Sequence, residues 1–223
     1  MTHVITSDTH IGCRYFNPMS FTAFLDTLPD GAELILAGDV VDRPGKPLTG
    51  EHRAALDRLI ELSYNRRVVW VCGNHDRDHT AYDLGCIDMV GEYAIGKRIF
   101  VTHGHHFDTV KPYHSWLVHL LRAAHAVRII IGADSVHVAR YVKRVPMLHG
   151  VLCNHVARNA VQYATENGFR AVVCGHTHAA ESREMDGVHY YNTGAWTEPP
   201  AHMVVVTPSE TTLTPVTSGH AAA

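Results

Sequence analysis

The chain has 223 residues, 46 % hydrophobic and 18 % charged, which suits one soluble globular domain or one domain carrying an insertion. That composition excludes a disordered, collagen-like or coiled-coil chain, and a formal charge of −3 with histidine neutral excludes a wholly basic nucleic-acid binder. Histidine is unusually frequent, 19 residues against 19 Lys and Arg together, so the positions of these common metal ligands decide what the count means.

In chain order, Val4 to Thr6 is a short β-branched run ending in SDTH. Pro18 to Leu28 has helical spacing, stopped by Pro29-Asp30-Gly31. Leu34 to Ala37 is an apolar strand run ending in GDVVD. Gly50 to Tyr64 reads as an amphipathic helix with Ala54, Leu56, Leu59, Ile60 and Leu62 as its apolar set and Thr49 as its N-cap. Val68 to Cys72 is a buried-strand run ending in GNHD. Tyr93 to Thr102 reads as a hairpin around Gly96-Lys97, ending in HGHH. Ala171 to Cys174 is a further buried run, ending in GHTH, and short strands follow around Val188–Tyr191 and Met203–Val206. The Ala-rich end from Ser218 is expected to fray.

Between Val110 and Gly168 the pattern changes to helical spacing, over Tyr113 to Arg128, again after Asp134, and from His149 to Asn167. Residues 111–170 carry a net charge of +6 in a chain of −3, so the remainder is strongly acidic. This predicts a core of residues 1–109 and 169–223 with a basic helical cap, 110–168, inserted in it. The cap histidines His114, His119, His125, His137, His149 and His155 fall at scattered spacings and read as ordinary helix positions. Its basic residues Arg122, Arg128, Arg140, Lys143, Arg144 and Arg158 read as a solvated face that can also concentrate anionic substrate. Its apolar half, around Trp116, Leu117, Leu120, Leu121 and Ile129 to Ile131, is core first, with acyl-chain binding or membrane-surface docking as the alternative.

The N-terminus MTHVITSDTH shows no signal-peptide regions, and the most apolar stretch, Leu117 to Ala133, is interrupted by His119, Arg122, His125 and Arg128. The five cysteines, Cys13, Cys72, Cys86, Cys153 and Cys174, are odd in number and lack C-x-x-C spacing, with Cys72 and Cys174 expected as buried thiols. A reducing cytoplasm is the expected compartment.

Five separate strand runs thus end in Asp, Asn or His: Asp8 and His10; Asp39 and Asp42; Asn74, His75 and Asp76; His103; His176 and His178. Loops at the carboxyl ends of parallel strands converge on one crevice, so these side chains are expected to meet. Carboxylates and imidazoles without thiolates favour Mn²⁺, Fe²⁺, Zn²⁺ or Mg²⁺. The set is too large for one four-coordinate zinc and sufficient for two ions sharing a carboxylate. Such a pair can clamp a phosphoryl group and deprotonate a bridging water. Asp8 and His10, like His176 and His178, lie two apart; in extended backbone each pair shares a side, and Thr9 and Thr177 would point away.

SDTH, GDVVD, GNHD, THG and GHTH, in that order, resemble the calcineurin-like metallophosphoesterases across residues 1 to about 207. The resemblance implies an α/β fold, a four-layer α-β-β-α sandwich of two mixed sheets with flanking helices and a helical cap, and a dimetal site at one edge. It assigns Asp8, His10 and His178 to one metal, Asn74, His103 and His176 to the other, and Asp39 to the bridge. It makes His75 the acid or phosphoryl-oxygen donor, oriented by the Asp42 carboxylate. It implies two divalent ions, with Mn²⁺ the expected one, and hydrolysis by in-line attack of a metal-bridging hydroxide.

HGHHFD, the helical insertion and YNTGAW are most similar to the bacterial UDP-2,3-diacylglucosamine pyrophosphatase-like branch, which often has Arg where this chain has His75. This implies a phosphodiester or pyrophosphate substrate, nucleotide-linked or lipid-linked. GDVVDRPG resembles instead the GDxVDRG of protein phosphatases and dinucleoside tetraphosphatases, with Arg43 a phosphate ligand, although their GDxHG and GNHE are missing. Asn74 and His105 join Arg43 as candidate substrate contacts, with His106 beside them. Asp76 reads as a turn or cap residue first. Thr193 and Gly194 read as a turn, with a substrate contact as the alternative. A phosphomonoesterase or protein phosphatase is the alternative activity, and a catalytically silent scaffold of the same fold, like the related retromer subunit, a third reading. The chain shows no dedicated nucleic-acid module, and its oligomeric state is not legible.

Overall fold

Alternate residues of each buried strand face different layers, and that alternation builds the architecture. The computed structural model of the protein describes residues 1–76, 82–109 and 146–216. One sheet contains β1 (His3–Thr6), β2 (Glu33–Leu36), β3 (Val68–Val71), β4 (Asp88–Val90), β10 (His202–Val206) and β11 (Thr211–Pro215), in the order β11-β10-β1-β2-β3-β4. The other contains β5 (Tyr93–Ile95), β6 (Ile99–Val101), β7 (Ala171–Cys174), β8 (Glu181–Met185) and β9 (Val188–Asn192), in the order β5-β6-β7-β9-β8. Strands β1 to β4 are mutually parallel, as are β6, β7 and β9; the remaining pairings are antiparallel, so both sheets are mixed.

In β3, Val68 and Trp70 face outward, into a core with Phe21, Phe24 and Leu25 of α1 (Pro18–Asp26) and Leu56 and Leu59 of α2 (Gly50–Ser63). Val69 and Val71 face inward and meet Ile99, Val101, Ala171 and Val173 of the second sheet. Phe100 and Val172 face outward again, against Val156, Ala157, Ala160, Val161 and Ala164 of α3 (Pro146–Glu166). The order is therefore helix, sheet, sheet, helix, the four-layer sandwich that the motifs imply. Alanines on the buried stripe of α3 let its backbone come close to the sheet.

The local signals act as their chemistry predicts, with differences. Asn17 caps α1, its Oδ1 accepting the Ser20 amide at 3.0 Å, and Pro18 starts the helix. Thr49 is the N-cap residue of α2 but makes no side-chain capping bond. The buried face of α2 is Ala55, Leu56, Leu59 and Leu62; Ala54 is exposed and Ile60 half-buried, so the apolar stripe is turned from the expected one. The sequence pattern does not reveal β4, β8 or β11, which are short or polar; all three are edge strands of their sheets, where one side of the strand has no partner to bury it. Cys174 is buried as expected, whereas Cys72 is only half-buried, and all five cysteines are free thiols.

Charge asymmetry places residues up to 168 in the cap. From Cys153 onward, however, α3 lies on the second sheet as its flanking layer, because its apolar stripe has Phe100, Val172 and Tyr190 to bury against. The rest of that segment, residues 110–145, lies outside the described residues, and with it His114, His119, His125, His137, Trp116 and the basic residues Arg122 to Arg144. The C-terminal run from Ser218 lies outside them too. Among the described residues no helix is long and apolar enough to cross a membrane.

Candidate metal centre

The motif-bearing strands β1, β2, β3, β6 and β7 deliver their following loops to one end of the sandwich, and backbone hydrogen bonds tie those loops together. Asp8 N–H donates to Gly38 O and His10 N–H to Asp39 O, both at 3.0 Å, joining the first two loops. Gly175 N–H donates to His103 O at 3.0 Å, joining the last two. The sheets are joined by His103, whose Nδ1–H donates to Ala37 O at 2.9 Å, and by His176 N–H, which donates to Asp8 Oδ2 at 3.0 Å.

The backbone itself marks the site. Asp8, His10, Asp39, His176 and His178 all have left-handed φ, between 49° and 67°; Asp186, in a turn, is the sole other such non-glycine among the described residues. Non-glycine residues adopt this region at a cost, and its concentration in one spot points to function. It also corrects an expectation: each residue pair converges through left-handed turns, not through strand alternation. Thr9 Oγ1 does turn away, donating to Val40 O, and Thr177 is buried beside Asn192. Two glycines give the carboxylates room. A Cβ on Gly175 would overlap the Asp8 carboxylate, and one on Gly73 the Asp39 carboxylate.

Three donor atoms form the first cluster. His10 Nε2 and His178 Nε2 face each other at 3.3 Å, and Asp8 Oδ1 lies 3.2 Å from His178 Nε2 and 3.8 Å from His10 Nε2. Asp8 Oδ2 is occupied by Ser7 Oγ–H and His176 N–H, which leaves the buried Oδ1 aimed at the imidazoles. Asp39 Oδ2 stands between this group and the next, 4.0 Å from His10 Nε2 and 3.3 Å from His103 Nε2. His103 Nε2 is also 3.1 Å from Asn74 Oδ1. The groupings Asp8–His10–His178, His10–Asp39–His75 and Asp8–Asp39–His103 each bring three ligand atoms within 4.8 Å of one another. His176 belongs to none of them. Its ring stands beside His103, centroids 5.4 Å apart, with Nε2 3.3 Å from Asp108 Oδ2.

Burial alone would push the His103 and His178 imidazoles down. Asp8 and Asp39 outweigh it at His103, and Asp8 and Glu198 at His178, raising each to about 9. Burial likewise opposes ionisation of Asp8 and Asp39, but His178 and His103 for the first, and His103 and His10 for the second, hold both carboxyls below the usual range. The buried carboxylates and imidazoles thus stabilise one another's charge. Lone-pair donors of mixed N and O type facing one another at 3.2–3.8 Å fit divalent cations.

The candidate substrate-side residues are spread around this core. His75 is at the mouth, 40 % exposed, with Nε2 3.9 Å from Asp39 Oδ2. Its orientation differs from the expectation. His75 Nδ1 donates to the Asp42 backbone carbonyl at 2.9 Å, whereas the Asp42 carboxylate lies nearer His10 Nδ1, at 3.4 Å, and only 4.0 Å from His75. The left-handed turn at His10 brings that ring under the carboxylate first. Arg43 is 68 % exposed, its Nε 3.5 Å from Asp42 Oδ2. His105 is half-buried against His103 and His176; burial, reinforced by those neighbours' charge, depresses it to about 4, so it is neutral at pH 7. His106 is exposed, packed on Phe107. Asp76 does more than cap a turn: it is fully buried and accepts the amides of Asp39, Val40 and Gly73. Thr193 is buried under Asp8 through Ser7 Oγ, 2.6 Å away, rather than open to substrate.

Sequence reasoning missed four supporting residues. Glu198 Oε1 lies 3.5 Å from His178 Nδ1, and Asp108 faces His176. His149 Nε2 is 3.2 Å from Thr177 O, and His155 Nε2 2.8 Å from Thr109 Oγ1, so two α3 histidines read as ordinary brace the site loops. Only Asp108 had a local signal, as the last residue of HGHHFD.

The family model for calcineurin-like phosphoesterases matches residues 1–180. Among solved structures, the chain is similar in fold to Vps29 from Chaetomium thermophilum, at 14 % identity and a TM-score of 0.53, covering 95 % of this chain and 86 % of that one. It is similar likewise to Yfce, a phosphoesterase from E. coli, at 15 % identity and a TM-score of 0.50, covering 97 % of this chain and 100 % of that one. A search of the curated proteins finds no match.

Proposed function

The chain belongs to the calcineurin-like phosphoesterase family, and on that premise we propose that it is a phosphohydrolase using two divalent ions, Mn²⁺ first, to cleave a phosphodiester or pyrophosphate bond. The observation that carries this reading is Asp39 Oδ2, one carboxylate oxygen set between two groups of imidazole donors, 4.0 Å from His10 and 3.3 Å from His103. Asp8, His10 and His178 would hold one ion, Asn74, His103 and His176 the other, and Asp39 both. When bound, such a pair supplies positive charge against the phosphoryl oxygens and lowers the pKa of a coordinated water.

The chain's own groups do the rest. A backbone carbonyl only accepts, so the contact with Asp42 O keeps the His75 proton on Nδ1 and leaves Nε2 on the side of Asp39 Oδ2, 3.9 Å away. Protonated there as well, His75 donates to a phosphoryl oxygen or to the departing oxygen. Arg43, exposed and next to Asp42, would pair with a substrate phosphate, and neutral His105 would line the inner wall. The likeness of HGHHFD and YNTGAW to the pyrophosphatase-like branch supports a nucleotide-linked or lipid-linked substrate.

A Mn²⁺-dependent assay on bis(p-nitrophenyl) phosphate beside p-nitrophenyl phosphate tests the reading. Preference for the diester supports it, preference for the monoester supports a phosphomonoesterase, and silence with two ions bound supports a scaffold.

A further inference from the structure

The loops that carry the Asp8–His10–His178 group also wall a cavity of about 390 Å³, bordered by Tyr15, Asn17, Ser20, Trp196, Pro199 and Pro200. It lies at the metal end of the sandwich. Thr6, the last residue of β1, donates from Oγ1 to His202 O at 3.0 Å, and His202 opens β10 just after the two prolines. Three walls are a short step from metal-site residues. Tyr15 follows His10 through two tight turns, Cys13 N–H donating to His10 O at 2.9 Å and Phe16 N–H to Cys13 O at 3.0 Å. Trp196 N–H donates to Asp8 O at 3.1 Å. Pro199 follows Glu198, whose Oε1 lies 3.5 Å from His178 Nδ1. A smaller hollow of about 270 Å³, bordered by His178, Glu198 and His202, shares Pro199 and Pro200 with the larger one.

The lining decides what fits. The larger cavity falls within the roughly 300–1,000 Å³ of small-molecule sites, and its walls are mostly flat and apolar with a few polar groups, as such sites require. The Trp196 indole is fixed in advance: Nε1–H donates to Thr6 Oγ1 at 2.9 Å, and the ring stands edge-on to Phe21 with centroids 5.0 Å apart. Asn17 Oδ1 is taken by the Ser20 amide, so what Asn17 offers a ligand is its Nδ2 donor, with the Ser20 hydroxyl three residues on. Flat rings and a donor beside a hydroxyl suit a planar heterocycle with a carbonyl edge. An acyl chain would take water from the same amide and hydroxyl and return no hydrogen bond. We propose that this cavity is the subsite for the base of a nucleotide-linked substrate, with the hollow beside His178 and Glu198 taking the sugar between base and phosphate. The proposal rests on the dimetal reading and chooses between its nucleotide-linked and lipid-linked substrates.

Three esters with one leaving group, the thymidin-5′-yl, octyl and methyl p-nitrophenyl phosphates, test this on the Mn²⁺-loaded full chain. The thymidine ester is expected to exceed the methyl ester in kcat/KM by about 5–150-fold, mostly through KM, the span that one stacked base is worth. Ser20→Phe, which fills the cavity from α1, and Tyr15→Ala, which removes a wall, should each pull that ratio toward one. A general loss of structure lowers both esters together and does not move the ratio. Photo-crosslinking of 5-iodouridine 5′-monophosphate to the wild type, which needs no variant to fold, should put the adduct on Tyr15 or Trp196. Equal kcat/KM on the thymidine and methyl esters, the octyl ester preferred to both, a wild-type ratio in both variants, or adducts confined to other residues overturns the base subsite and leaves the dimetal reading standing. A wild type that hydrolyses none of the three overturns both.

Discussion

Asp76 reaches from the loop after β3 to the loop after β2, where its Oδ2 accepts the amide hydrogen of Asp39 at 2.7 Å. The same oxygen accepts Gly73 N–H at 2.8 Å, and Oδ1 accepts Val40 N–H at 3.1 Å. One buried carboxylate thus holds the left-handed turn that presents Asp39. Asp76→Ala would leave three amides without an acceptor, at about 1–3 kcal/mol for each that stays buried. A chain of this size loses roughly 2–4 °C of Tm per kcal/mol, so a fall of about 10 °C is expected in a thermal melt. A variant melting with the wild type would show that those amides find other partners.

Asp39 itself accepts His75 N–H through Oδ1 at 2.8 Å while Oδ2 faces the imidazoles. Asp39→Ala removes the oxygen common to both donor groups. Elemental analysis of the reloaded variant should find both ions lost, and phosphodiester turnover should vanish with them. Two ions bound and full turnover would remove Asp39 from the bridge.

His75 stands outside the cluster proper, its ring edge-on to His10 with centroids 5.0 Å apart. His75→Ala should therefore keep the metal content and lose about 10²–10⁴ in kcat, the usual worth of general acid–base help. Loss of metal together with rate would instead make His75 a ligand, which its place in the His10–Asp39–His75 grouping allows as the competing outcome.

Asp8 and His10 show why the site was so legible in sequence and where legibility stopped. Their types and their place directly after a parallel strand are written in one dimension, so the convergence of five such loops follows from strand direction alone. The left-handed turns that carry them have no periodic signature, and strand alternation was the wrong route to a correct grouping. Partners supplied by tertiary contact are out of reach: the Asp42 carboxylate lies nearer His10 than His75, and Glu198 reaches His178 across a separate loop. The same limit shaped the fold. Strands such as β3, buried on both faces, read as apolar runs, whereas β8, with Glu181 and Arg183 paired to each other at 2.9 Å on a sheet edge, carries no hydrophobic mark. The α3 stripe is legible as helical but its destination is not, because a small apolar face does not say which layer it covers.

The pH dependence of metal uptake has a definite sign. His103 and His178 are raised to about 9 in the folded metal-free chain, against about 6.5 in the unfolded one. A raised pKa contributes stability that is fully present below the unfolded value and is lost as pH rises through the folded value. The metal-free protein should therefore lose Tm between about pH 6.5 and 9.5. Metal requires the neutral rings, so uptake must expel these protons, and apparent affinity should climb over the same window. At pH 7.5 these two rings should release about two protons per chain on saturation with Zn²⁺, and at pH 10 far fewer. Calorimetric titration in buffers of different ionisation enthalpy reads the number directly. Proton release that does not change between pH 7.5 and 10 would mean that neither ring gives up a proton to the metal.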